Sequence, residues 1–261
     1  MYIKAKKHLG QHFLADLNIA QKIVDAFHTE LGDLAALEIG PGKGVLSSLL
    51  MEKNIPLTVA ELDRECVAFL KEEFPELKVY HQDFLKMDIH SFFDKEIGVI
   101  GNFPYNISSQ ILFRVIKNKE QIPLMLGMFQ KEVAERISAK HGNKTYGILS
   151  VLTQAYYDVE YLFTVSENVF VPPPKVKSAV IKIKRKENNT LANSIPQAFF
   201  IDMVKTAFNQ RRKTLRNAFR KYYIEETKNF YFWDKRAEQL SVEEMLEMAK
   251  KLEPFCNNQT H

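Results

Sequence analysis

The strongest constraint on this chain is a pattern that runs from the first predicted strand to about residue 185. Short β-rich runs alternate with helix-like runs, as in a parallel sheet covered by helices on both faces. Ala35–Ile39, Leu57–Glu61, Leu77–Tyr80, Ile97–Asn102 and Leu124–Gln130 read as strands. Gly44–Lys53, Arg64–Phe74 and Ser108–Lys117 read as helices, the last opened by Ser108 or Ser109 as N-cap. Two later β-rich stretches, Asp158–Val165 and Val176–Lys184, flank Pro172-Pro173-Pro174 and suit an antiparallel hairpin at the sheet edge. The expectation is a Rossmann-like α/β fold with a seven-stranded sheet.

Past Arg185 the period becomes helical. Phe200, Met203, Val204, Ala207 and Phe208 share one helix face. Leu215, Ala218, Phe219 and Tyr222 repeat the spacing on a helix beginning near Gln210, and Ser241 to Glu244 form a capping box ahead of Met245 and Met248. The predicted division is a catalytic domain over residues 1–187 and a small all-α domain over 188–261.

Charge is unevenly spread. Pro172 to Lys221 holds 13 Lys and Arg against two acids, so with an overall net charge of +4 the rest of the chain is net negative. Such a segment reads either as a polyanion-binding surface or as a solvated face. Cys66 and Cys256 lie in no CxxC, and the seven His show no metal-ligand spacing. Neither a disulfide framework nor a metal site is encoded, and a reducing, cytoplasmic setting is expected. Lys4, Lys6 and Lys7 precede no apolar run, and Ile122–Phe129 is too short to cross a membrane.

Three motifs carry chemistry. Glu38-Ile39-Gly40-Pro41-Gly42-Lys43-Gly44 follows a strand and opens a helix, where bare backbone at Gly40 and Gly42 lets a ligand approach, although a tight turn would also use such glycines. Glu61 ends the second strand, placed to accept hydrogen bonds from both ribose hydroxyls of a nucleoside cofactor. Asp83 could accept that cofactor's adenine amine, or simply close a turn.

The third motif, Asn102-Phe103-Pro104-Tyr105, ends the fourth strand at the carboxyl edge of the sheet. The exocyclic amine of a base is a poor nucleophile because its lone pair is delocalised into the ring. The Asn102 amide oxygen and the Pro104 carbonyl can accept its two N–H bonds and aim the lone pair, while Tyr105 offers a face for a splayed base.

With these motifs in view, the chain resembles the ribosomal RNA adenine N6,N6-dimethyltransferases, most closely their small-subunit branch. The resemblance spans nearly the whole chain and rests on Gly10 to Leu14, Glu38 to Gly44, Glu61 to Asp63, Gln82-Asp83, Gly101 to Ser108, Gln130 to Glu132, Pro172 to Ser178 and Ala207 to Thr214. It implies S-adenosyl-L-methionine as methyl donor. It also implies two adjacent adenines in the 3′-terminal hairpin of the 16S rRNA of the small ribosomal subunit as substrate. Matched position by position, His12, Leu14, Gly40, Glu61, Asp83 and Asn102 fall on donor contacts, with Asn102 also the catalytic amide. Phe170 resembles a second aromatic of the base pocket, though a Phe at a strand end is otherwise core. His12 stands where the family usually has Asn, and Phe103 where it usually has Leu.

Lys175, Lys177, Arg211, Arg212, Lys213, Arg216 and Arg220 are expected to contact RNA phosphates, and the protein is expected to be a monomer away from membranes. Other classes fit less well. A nicotinamide oxidoreductase would not explain Asn102 to Tyr105 or the cationic segment, and a DNA adenine methyltransferase would need a larger target-reading domain. A 23S rRNA dimethyltransferase of the macrolide-resistance type shares the core motifs. A ribosome-assembly factor acting by binding alone would keep the cation and dispense with the cleft.

Overall fold

The computed structural model describes residues 3–256, which fall into two compact units. One comprises the chain up to Ala134 together with Val159–Arg185; the other comprises Glu135–Asp158 and the chain from Lys186 onward. The sequence division at 187/188 lies close to one of these breaks. It does not anticipate that Glu135–Asp158, including helix Ile148–Gln154, clusters with the C-terminal residues.

The first unit is built on strands β1 (Phe13–Leu14), β2 (Ala35–Ile39), β3 (Leu57–Glu61), β4 (Lys78–His81), β5 (Ile97–Asn102), β6 (Leu124–Gln130), β7 (Tyr157–Val165), β8 (Phe170–Val171) and β9 (Ser178–Arg185). Seven of them form one sheet in the order β4-β3-β2-β5-β6-β9-β7. The pairs β4/β3, β3/β2, β2/β5 and β5/β6 are parallel, and β9 runs antiparallel to β6. The late β-rich pair therefore sits at the edge, as expected, with β9 inside and β7 outermost. The central strands read as apolar runs because helices cover both their faces: Leu37, Val59, Val99 and Leu126 are all fully buried.

From β2 the chain steps outward to β3 and β4, then returns to the other side of β2 as β5. That reversal opens a crevice at the carboxyl ends of β2 and β5, where open α/β sheets bind ligands. The glycine loop leaves β2 there, and Asn102 is the last residue of β5. Phe103, immediately beyond, is 1% exposed. It meets Phe129 edge-on at 5.3 Å, and a Cβ at Gly101 or Gly127 would run into its ring. Those two glycines make room for the larger aromatic.

Two local expectations are corrected. The helix Ser108–Lys117 forms as expected, but its N-cap is Ile107, and Ser108 instead donates its hydroxyl back to the Tyr105 carbonyl at 3.2 Å. The helix expected from Gln210 is a single turn, Leu215–Ala218, followed by a 3-10 turn, Arg220–Tyr222. The Leu215 and Arg216 N–H groups donate to the carbonyls of Lys235 and Trp233, which starts the helix at 215. Leu215, Phe219 and Tyr222 are still buried, so the apolar period survives the break.

Elsewhere in the second unit, helix Gln197–Asn209 buries Phe200, Met203, Val204 and Ala207. Helix Val242–Leu252 carries the predicted capping box: Ser241 Oγ accepts from Glu244 N–H at 3.1 Å, and Ser241 N–H donates to Glu244 Oε2 at 2.9 Å. Among the described residues no helix is long and apolar enough to cross a membrane.

Candidate active site

The crevice opens into a cleft of about 160 Å³ within the first unit, lined by the glycine loop, the ends of β3 and β5 and residues 8–14. Gly42 adopts φ 58°, and a Cβ there would stand 2.9 Å from the Phe13 ring, so only glycine fits between loop and N-terminal segment. Gly40 also has positive φ, at 64°.

Glu61 is tied to this loop. Its Oε1 accepts the Leu62 and Asp63 N–H groups, both at 2.8 Å, and its Oε2 accepts the Gly42 N–H at 3.0 Å. Burial raises its pKa, and the three backbone N–H groups oppose that rise. A carboxylate has about four acceptor directions. With three used inside the protein, Glu61 keeps one, on Oε2, where the sequence reading asked for two.

Beneath the loop Glu38, 2% exposed, accepts the Ser47 hydroxyl at 2.5 Å. Burial pushes its pKa up to about 8, the Ser47 bond working against the rise and the nearby Glu61 charge with it. Asp83 Oδ1 accepts the Leu85 N–H at 3.0 Å, so it closes a turn while lining the cleft.

The N-terminal segment reaches this site through pairings far apart in sequence. Lys6 Nζ lies 2.6 Å from Asp63 Oδ1, and Gln11 Nε2 donates to Asp63 Oδ2 at 3.0 Å. On the opposite wall, Asn102 Nδ2 donates to the His12 carbonyl at 2.8 Å. The His12 ring sets Nδ1 2.8 Å from the Pro172 carbonyl and stacks on Tyr105, centroids 5.5 Å apart and planes 26° apart. A carbonyl can only accept, so Nδ1 carries the proton in that bond. Lys6, Gln11 and Asp63 are positioning residues the sequence reading did not single out. Separations of 52 and 57 positions left no local signal.

Because Nδ2 donates to His12, the oxygen is the end of the Asn102 amide left to accept from a ligand. The Pro104 carbonyl accepts the Ile107 N–H at 3.1 Å and keeps a second lone pair. Tyr105 shares a short hydrogen bond with Ser178 Oγ, and burial raises its phenol pKa. His12 stacks on one face of its ring.

Phe170 corrects an expectation. It is 2% exposed, packs in one cluster with Leu14, Val24 and Phe27, and is not among the residues lining the cleft. The antiparallel register of β1 with β8 sets Leu14 opposite Phe170, which turns the ring into the core. Leu14, 4% exposed, both joins that cluster and lines the cleft.

The expected RNA-facing cations divide between the units. Lys175 and Lys177 are exposed on the first. In the second, Arg212, Lys213 and Arg220 are exposed, whereas Arg211 donates to the Asn143 carbonyl and approaches Glu238 at 3.6 Å. Arg216 pairs with Asp234 at 3.1 Å beside the Tyr223 ring.

A switch-point cleft with a bare glycine loop, a strand-end acid and an Asn-Phe-Pro-Tyr turn defines a Rossmann-like enzyme with a nucleoside-cofactor site. The fold is shared with a dimethyladenosine transferase from Plasmodium falciparum, with a TM-score of 0.78, 24% identity and coverage of 93% of this chain and 98% of that one. It is shared also with the 23S rRNA methyltransferase ErmE, with a TM-score of 0.66, 22% identity and coverage of 91% and 99%. The model of the ribosomal RNA adenine dimethylases matches residues 2–253. A Cytophaga hutchinsonii protein named ribosomal RNA small subunit methyltransferase A is 53% identical over 254 residues, 96% of this chain and 98% of that protein. The chain belongs to the ribosomal RNA adenine dimethylase family.

Proposed function

We propose that the cleft converts two adjacent adenines in the 3′-terminal hairpin of small-subunit ribosomal RNA to N6,N6-dimethyladenosine, with S-adenosyl-L-methionine as donor. The observation that carries this reading is the orientation of Asn102, whose amide nitrogen donates to the His12 carbonyl, so that its oxygen is the end left to accept. The sequence relatives favour the small-subunit RNA over the 23S alternative, since the 53% identical protein bears a small-subunit name. The fold alone does not discriminate, because the 23S enzyme shares it.

The residues present fit the donor. Glu61 offers a held carboxylate to a ribose hydroxyl, Asp83 retains an oxygen for an adenine amine, and the positive-φ glycines present bare backbone. S-adenosyl-L-methionine supplies an electrophilic methyl group on a sulfonium. Asn102 Oδ1 and the Pro104 carbonyl accept the two N–H bonds of the target amine and hold its lone pair out of the ring plane. Tyr105 stacks the base, steadied by His12 on its other face and by Ser178 at its hydroxyl. Alkylation makes the nitrogen acidic, so its proton leaves without a dedicated carboxylate base.

The exposed cations Lys175, Lys177, Arg212, Lys213 and Arg220 are assigned to RNA phosphates, which position the substrate without reading its sequence. The test is tritium transfer from the donor to unmethylated small and large subunits in parallel. Label in the small-subunit RNA alone is the expected outcome; label confined to the large subunit overturns the assignment.

A further inference from the structure

The second unit contains a recess of about 160 Å³ that none of the preceding roles uses. Lys140, His141, Tyr146 and Lys186 line it, together with the first residues of helix Val242–Leu252, and all belong to that unit. Tyr146 is the unusual member. It is 1% exposed and packs edge-on against Phe208 with centroids 5.8 Å apart, yet its buried hydroxyl has no hydrogen-bond partner in the protein. Native structures rarely leave such a group unpaired. Tyr146 shares the recess with Ser241, Val242 and Glu243, at the start of the helix.

At that end Ser241 Oγ takes the Glu244 N–H, while the Val242 and Glu243 N–H groups precede the first intrahelical donor, the Met245 N–H. The helix terminus adds about half a positive charge. Lys186 gives one proton to the Gln154 carbonyl at 2.7 Å and has two left; Lys140 is exposed. Glu243, exposed on the rim, offsets one of the two lysines. A phenol, ammonium groups and helix-end N–H groups converging on one recess are the donor set of an oxyanion site.

Resting on the proposed function, we infer that this recess seats a phosphodiester of the ribosomal RNA, with Tyr146, Lys140 and Lys186 as its ligands. Continuity favours the RNA backbone as the source of the phosphate. The loop that follows Lys140 is fastened to the cationic segment, since Arg211 donates to the Asn143 carbonyl at 3.2 Å. The recess and the exposed Arg212 and Lys213 thus lie in one unit, joined through Arg211.

The test uses the full chain with Tyr146→Phe, Lys140→Gln and both together. Phe keeps the ring contact with Phe208 and removes only the hydroxyl, and circular dichroism checks each fold. Affinity for unmethylated small subunits is read across a salt series, and thermal unfolding is read in inorganic phosphate against chloride at equal ionic strength. Tyr146→Phe should weaken subunit binding about tenfold, as expected for a hydrogen bond to a charged group. Lys140→Gln should flatten the slope of log affinity against log salt by about 0.7 to 0.9. Protection by phosphate should be lost in the double variant.

Unaltered subunit affinity and slope in a folded double variant overturn the inference, and phosphate protection without a subunit effect does the same by making the recess a small-anion site. Dimethyladenosine formation by the unsubstituted protein is measured alongside. Its absence, with phosphate protection intact, would count against the proposed function and leave the recess standing.

Discussion

Asn102 donates its side-chain amide to the main-chain carbonyl of His12, 90 positions earlier, at 2.8 Å. The bond leaves the amide oxygen as the end free to accept, and it uses backbone, so it does not depend on the side chain at position 12. Asn102→Ala should therefore lower turnover on the order of 10²- to 10³-fold, the scale for losing one preorganised polar contact to a reacting group. Subunit affinity should persist. Single-turnover methyl transfer checks this; turnover within a few fold of the parent would remove Asn102 from the chemistry.

Glu61 is held by three backbone N–H groups, so its carboxylate is preorganised toward the cleft. Glu61→Ala should weaken donor affinity tenfold to a hundredfold by calorimetry, corresponding to roughly 1.5–3 kcal/mol for hydrogen bonds to a charged group. Unchanged affinity would place the ribose elsewhere.

The buried Glu38 predicts a pH dependence of stability. Its folded pKa of about 8 lies above the ordinary carboxyl value of 4.5, so between those values the folded chain binds a proton that the unfolded chain has released. Its contribution to stability is fully present below pH 4.5 and is lost as pH rises toward 8. Glu38→Gln keeps an acceptor for Ser47 and removes the titration. Denaturant unfolding at several pH values should show the variant gaining on the parent as pH rises, and parallel curves would contradict the buried proton.

Phe170 lies in the core, so Phe170→Ala should cost roughly 3–5 kcal/mol of stability. A variant of parental stability that loses only turnover would put the ring against the base after all.

Arg211 is engaged with Asn143 and Glu238, whereas Arg212 and Lys213 are exposed. Replacing Arg212 and Lys213 together by Gln should flatten the salt slope of subunit binding by about 1.4, two phosphates at about 0.7 each on single-stranded RNA. Donor binding should not move. An unaltered slope would make this run a solvated face.

Much of the first unit was legible because a parallel strand buried on both faces must be an apolar run. Ala35–Ile39, Leu57–Glu61, Ile97–Asn102 and Leu124–Gln130 fall where the sequence placed them. Phe13–Leu14, two residues paired with Phe170–Val171, is too short to show a period. The second unit was harder to read, since the affiliation of Glu135–Asp158 depends on packing at long sequence separation. At the cleft, residue types were legible from their motifs, but not which lone pairs the protein already uses. Glu61 spends three of its acceptor directions on backbone, and Asp83 spends one on a turn.

The most direct test of the central claim is nucleoside analysis of the 3′-terminal fragment of small-subunit RNA after incubation of unmethylated subunits with donor and either the protein or its Asn102→Ala variant. Two N6,N6-dimethyladenosines per fragment from the protein, and almost none from the variant in the same time, is the predicted result. Unmodified adenines with the active protein, or equal yields from both, would contradict it.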